Sequence, residues 1–190
     1  MKIAMKKSPL VVLGIVLGVT LAAAPGRADE EHHRRSRGSS KSAPRPSPRG
    51  AFGESPMLSA YTEECGSCHM AYPPGLLPAR SWSRILGELD RHFGQNAEMD
   101  AEPRAALERW LVANAAESGA HPKSKRVLKS AGTSTPLRLS ELRFIAHEHD
   151  EIDRAAFSRP SVGSVANCGA CHLGADRWSF SEREIRVPRN

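Results

Sequence analysis

Apolar and polar positions divide the chain into stretches of three kinds. Leu10 to Ala24 is a nearly continuous apolar run of about fifteen residues, preceded by Lys2, Lys6 and Lys7 and followed by the small-residue pattern Gly26-Arg27-Ala28. Such a run is short for a bilayer span and no stop-transfer pattern follows it, so residues 1–28 read as an export signal that is removed. No transmembrane segment is expected after that removal. Residues 29–50 are largely Ser, Pro, Arg and Lys with almost no apolar side chain, and they cannot offset the entropy of ordering. They read as a disordered basic tether, in which His32 and His33 are solvated.

From residue 51 onwards the apolar positions recur at helical spacing. Ser55 caps a short helix with Pro56 at its first position, running through Leu58 and Tyr61. A turn-rich segment, Tyr72 to Pro78, follows. Trp82, Ile85, Leu86, Leu89 and Phe93 then step mainly by three and four and predict an amphipathic helix that stops at Gly94. Asp100-Ala101-Glu102-Pro103 opens another, with Leu107, Trp110 and Leu111 on one face. Residues 117–135 are polar and basic with Gly119, Pro122 and Gly132 as breakers, and read as a linker. A last helix is predicted from Ser140 to about Ala156, then a loop from Pro160 to Asn167. No stretch alternates as a strand does. The prediction is a mainly α protein with little or no β, its folded part divided into 51–116, a linker at 117–135, and 136–190.

Charge alters little in this picture. The net charge is +6, yet residues 51–190 hold 17 basic and 18 acidic side chains, so the excess lies in the leader and tether. A basic overall balance of that origin is no argument for nucleic-acid binding.

The chemistry lies in a pentapeptide that occurs twice, as Cys65-Gly66-Ser67-Cys68-His69 and Cys168-Gly169-Ala170-Cys171-His172. The two copies use all four cysteines. Cys-x-x-Cys-His is the attachment motif of c-type haem: each thiol adds to one vinyl group, and the adjacent His reaches the iron. Disulfides within Cys-x-x-Cys would be strained and would leave both histidines unexplained. A four-cysteine zinc site places its two pairs about 15 to 20 residues apart, not about a hundred. Two covalently bound haem c groups are therefore expected on Cys65, Cys68, Cys168 and Cys171, with His69 and His172 as proximal axial ligands. Bacterial haem attachment occurs outside the cytoplasmic membrane, in agreement with the export signal and a periplasmic location.

The sixth position on each iron separates carriers from catalysts. Residues 173–190 contain neither His nor Met, so the ligand of the second haem must come from upstream. Leu142, Ile145, His149 and Ile152 form one helical stripe, which favours His149 over His147; His121 lies in the polar linker. At the first haem His92, 23 positions after His69, competes with Met99, and His92 is favoured because Met99 fits as a packing residue before the Asp100 cap. Trp178 and Phe180 in the short tail are expected to pack over the second haem. No residue is assigned a catalytic role. The rival reading, a dihaem peroxidase or gas-binding haem protein, needs an open iron and a distal acid-base group, and no clear constellation supplies one.

Several segments together resemble the bacterial periplasmic dihaem cytochrome c family: Cys65 to Pro74, Leu77-Pro78-Ala79-Arg80-Ser81-Trp82, His92-Phe93-Gly94, Glu148-His149-Asp150-Glu151-Ile152, Asn167 to His172 and Phe180 to Arg189. The resemblance implies a cytochrome-c-like helical N-terminal domain, a smaller haem-organised second domain and bis-histidine ligation, His69 with His92 and His172 with His149. It further implies an electron carrier whose redox partners include a small oxygen-binding monohaem cytochrome and a membrane b-type cytochrome. The Arg-rich tether has no counterpart in that pattern.

The mature protein, lacking residues 1–28, should carry the mass of two haems and no titratable thiol. Intact-mass spectrometry and a thiol assay on the holoprotein check this, and a one-haem increment would refute it.

Overall fold

The computed structural model describes residues 48–189. The expected leader, 1–28, and the tether residues 29–47 lie outside the described residues. Pro48–Phe52 form a 3-10 helix, so the last positions of the expected tether belong to the fold: Arg49 donates to the Asp176 carbonyl at 3.0 Å and lies over the Trp178 ring.

Among the described residues five α-helices carry the architecture: α1 Pro56–Glu64, α2 Ala79–Leu86, α3 Ala101–Ala113, α4 Ser124–Ala131 and α5 Arg143–Glu148. Short 3-10 turns link them, and among the described residues antiparallel pairing is limited to the isolated bridges His92–Gln95 and His172–Ile185. None of the helices described is long and apolar enough to cross a membrane. The cap of α1 is the predicted one, Ser55 Oγ accepting from the Leu58 N–H at 3.1 Å with proline at the first position.

Helices α1, α2 and α3 bury Leu58, Tyr61, Trp82, Leu86, Leu107 and Leu111 against one another. The aromatic contribution is concentrated at Tyr61, whose ring lies 6.3 Å from Trp82, 5.4 Å from Trp110 and 6.5 Å from Trp178. Polar ends of these rings are satisfied by backbone: Trp82 Nε1 donates to the Pro74 carbonyl at 2.8 Å and Tyr61 Oη to the Tyr72 carbonyl at 2.6 Å.

Four expectations are corrected. The helix predicted through Phe93 ends at Leu86, because Gly87 closes it with its N–H on the Ser83 carbonyl. Glycine is a poor helix former, and the chain tightens into a 3-10 turn at Leu89–Arg91. The 117–135 segment is not a polar linker, since α4 occupies its centre and buries Ser124, Val127 and Ala131. Those residues stand at helical spacing but are small, so the stripe is inconspicuous in the sequence. The last predicted helix is broken: Leu142 is extended, α5 stops at Glu148, and Asp153 starts a separate 3-10 turn at Arg154–Ser158. Trp178 does not lie over the second Cys-x-x-Cys-His segment. It is 1% exposed, packs on Phe52 and Tyr61, and donates to the Ala71 carbonyl at 2.7 Å. The same buried cluster holds Leu58, Val127, Leu142 and Trp178, so the core runs across both expected halves.

His121 is a structural residue. It is buried beside Gly75, where an added Cβ would come within 2.5 Å of the His121 Cβ, and its Nδ1 accepts from the Lys123 N–H at 3.1 Å. Burial, with Lys123 nearby, lowers its pKa to about 4. The unfolded chain binds a proton on this His near pH 6.5 that the fold refuses, so its contribution favours the fold above that pH and is lost between about 6.5 and 4. The loss should amount to about 3 kcal/mol. Denaturant unfolding at pH 7.5 and 4.5 checks it: His121→Gln, which keeps an acceptor and cannot titrate, should lose less stability over that interval than the parent.

Candidate haem-binding site

The segment after α1 delivers the first motif. Cys65 caps α1 with its N–H on the Tyr61 carbonyl at 3.0 Å, and the following turn holds Gly66 tightly: a Cβ there would fall 2.1 Å from the Thr62 carbonyl oxygen. His69 follows, and its Nδ1 is 2.8 Å from the Met70 carbonyl. A carbonyl accepts, so Nδ1 carries the proton and Nε2 keeps its lone pair.

His92 is brought opposite. It lies outside α2, at the end of the Leu89–Arg91 turn, where its backbone pairs with Gln95. Left-handed Phe93 (φ 53°) and Gly94 (φ 92°) reverse the chain there. Arg138 covers the Phe93 ring at 4.0 Å. The His69 and His92 rings face each other with centroids 6.2 Å apart and planes 23° from parallel. Burial, then His69 and Arg138, lowers the His92 pKa and favours the neutral imidazole that can bind a metal. Met99, the competing candidate, is partly buried against the hydrophobic core.

The second site is made almost wholly of turns. Cys168–Ala170 form a 3-10 turn, and His172 pairs with Ile185 of the tail through Leu173 N–H to the Glu184 carbonyl at 3.1 Å and Arg186 N–H to the Cys171 carbonyl at 2.8 Å. His149 is the residue that ends α5, with its Nδ1 2.8 Å from the Ile145 carbonyl. That again leaves Nε2 free. Its ring centroid is 6.0 Å from that of His172, with planes at 79°. Phe157 flanks His149 and Phe180 flanks His172. His172 is shifted towards the neutral form, by burial first and His149 second, and its Nδ1 is buried without a hydrogen-bond partner. His147 is exposed and bonded to Asp150.

The donor set fits haem c at both places. Two imidazoles bound to opposite sides of one metal at about 2 Å each have ring centroids about 6 Å apart. The four thiols are unbridged, and burial pushes Cys65 up to about 11, with Cys168 and Cys171 also raised. Redox-active Cys-x-x-Cys pairs show the opposite shift. Among the described residues there is no group of three or more His, Cys, Asp or Glu that could hold a metal ion. The sequence did not disclose the contribution of Phe157 or the Arg138–Phe93 cover, which depend on chain reversals that periodicity does not report.

The profile of the dihaem cytochrome c family matches residues 61–180. Solved structures agree. A dihaem cytochrome c from Rhodobacter sphaeroides is 43% identical with a TM-score of 0.58, over 64% of this chain and 95% of that one. Another, from Shewanella baltica, is 37% identical with a TM-score of 0.58, over 71% of this chain and 96% of that one. A comparison with curated protein sequences finds no match.

The two motifs differ in their tolerance of a side chain at the first intervening position. Gly66→Ala should cost about 1 to 3 kcal/mol through its backbone clash, whereas Gly169→Ala, whose Cβ meets only Asn167 Oδ1 at 3.9 Å, should be close to neutral. Thermal or denaturant unfolding of the two holoprotein variants checks the order.

Proposed function

The chain belongs to the dihaem cytochrome c family and carries two covalently attached c-type haems, and from that premise we propose that it shuttles single electrons between redox proteins through two bis-histidine irons. Haem c, when bound, supplies an iron that gains and loses one electron. Cys65 and Cys68 hold the first haem and Cys168 and Cys171 the second. His69 with His92, and His172 with His149, cap the two irons. The observation that carries this reading is the pair of facing imidazole gaps, 6.2 and 6.0 Å between centroids, each beginning at a complete attachment motif.

The chain's own groups keep the ligand sets unchanged on electron transfer. Carbonyls at Met70 and Ile145 hold Nδ1 of His69 and His149 in the protonated tautomer and so fix ring rotation. Backbone bridges pin His92 and His172. With both axial positions protein-filled there is no open iron for peroxide, which favours the carrier over the peroxidase reading. Two imidazoles per iron, with no thioether, set potentials below those of His/Met cytochromes. The periplasm of a bacterium is the proposed location, supported by the export signal read at 1–28. A small oxygen-binding monohaem cytochrome and a membrane b-type cytochrome are the proposed partners.

His149→Ala and His92→Ala should each convert one haem to a five-coordinate, carbon-monoxide-binding state, while His147→Ala leaves both low-spin. In the oxidised parent, low-temperature EPR should resolve two low-spin signals. The near-parallel His69/His92 planes give the more rhombic one and the near-perpendicular His149/His172 planes the more anisotropic one. A methionine-to-iron charge-transfer band abolished by Met99→Ala would reject His92. Stopped-flow mixing with a partner cytochrome should show fast, salt-dependent transfer. Peroxide turnover at enzymatic rates would instead establish the enzyme reading.

A further inference from the structure

Among the side chains that connect the two haem sites, Tyr72 reaches from one motif to the loop of the other. The Tyr72 ring lies 5.1 Å from the His69 ring, tilted 32°, on the first site. Its hydroxyl donates to the Ala166 carbonyl at 2.8 Å, on the loop that enters the second motif. That carbonyl also accepts from the Cys168 backbone N–H at 3.0 Å and is 3.7 Å from the Cys168 Sγ. One phenol therefore spans from His69 of the first site to a carbonyl that an attachment cysteine of the second also uses.

The base of this bridge is held from two further directions. The Tyr72 carbonyl accepts from Tyr61 Oη at 2.6 Å, on the helix that leads into the first motif. The neighbouring Ala71 carbonyl accepts from Trp178 Nε1 at 2.7 Å, on the tail that leaves the second motif. Burial, with Cys168 adjacent, pushes the Tyr72 phenol up to about 12, so it is a hydroxyl donor at any pH the protein meets. A residue needed only to fill space between His69 and its surroundings would not require that hydroxyl.

We propose that Tyr72 is a positioning residue that fixes the second haem's attachment loop relative to the first haem, and thereby sets the orientation and redox interaction of the two haems. The proposal rests on the ligation reading above for His69. Two low-spin haem signals in the wild-type EPR spectrum test that reading separately.

The test uses holoprotein of the wild type and of Tyr72→Phe, Tyr61→Phe and a 4-aminophenylalanine replacement of Tyr72. Tyr72→Phe keeps the ring over His69 and removes only the donor. Tyr61→Phe removes a hydrogen bond to the same backbone but leaves the bridge intact. The aminophenyl side chain restores a donor at the bridging position. The readout is the Soret-region circular dichroism couplet, which depends on the distance and angle between the two porphyrins, together with the separation of the two midpoint potentials. In Tyr72→Phe, with both haems still low-spin, the couplet amplitude should change at least twofold and the potential separation should shift. Tyr61→Phe should retain the wild-type couplet, and the aminophenyl variant should return towards it. A smaller change in Tyr72→Phe, an equal change in Tyr61→Phe, or no recovery with the restored donor overturns the proposal. Loss of the second haem in Tyr72→Phe supports it if the aminophenyl variant recovers that haem, and overturns it otherwise.

Discussion

Two facing imidazole pairs are held about 6 Å apart by a folded part of about 140 residues, and the rest of the structure is arranged around that separation. Backbone restrains each of the four residues, at the ring in two of them and at the main chain in the other two. His69 and His149 are held through Nδ1 by carbonyls, whereas His92 and His172 sit in the only β-bridges among the described residues. The restraint is thus distributed evenly, one hydrogen-bonded ring and one residue pinned at its main chain in each pair.

The two sites nevertheless have different support. The first is attached to three packed helices with a well-filled aromatic core around Tyr61. The second has α5 and a series of 3-10 turns, whose short-range hydrogen bonds offer little cooperative strength. It gains rigidity by connection to the first: Trp178 is inserted into the common core, Arg49 ties the entry segment to Asp176, and Tyr72 reaches across to Ala166. A core common to both halves accounts for how the smaller haem unit can be ordered without a hydrophobic centre of its own.

What was legible in the sequence divides along the same line. Covalent attachment points follow from local chemistry, and the Cys-x-x-Cys-His segments could be identified without any knowledge of the fold. The helical class was also legible, because α1 and α3 carry clear caps and apolar stripes. The helix periodicity that selected His149, and that carried a predicted helix past His92 to Phe93, was misleading about the setting of both residues. Both residues stand just beyond helical turns, where α2 and α5 have already ended. The three- and four-residue steps continue past Gly87 because a 3-10 turn presents side chains at nearly the same spacing as an α-helix. Helix α4 was missed for the reverse reason. Its buried stripe of Ser124, Val127 and Ala131 is small, and its packing depends on a close approach to Gly75 and His121 that only the folded chain defines.

Placement of the proposed ligands His92 and His149 beyond helix ends has a physical consequence for the proposed carrier. A ring on a helix face is set by the helix axis and can adjust only with the whole element, but a ring at a helix terminus is set by the local turn and can take any plane the turn allows. The two pairs use this freedom differently, 23° in one and 79° in the other, although both have nearly the same centroid separation. In the proposed ligation the metal would set the metal–nitrogen distance, and so a separation common to both sites, whereas the plane angle is left to the protein and is where the two can diverge. Imidazole orientation governs which iron orbital holds the unpaired electron, and hence the electronic character of each haem. Two haems ligated as proposed would thereby be made inequivalent by turn geometry alone, which would give the chain a means of ordering their potentials.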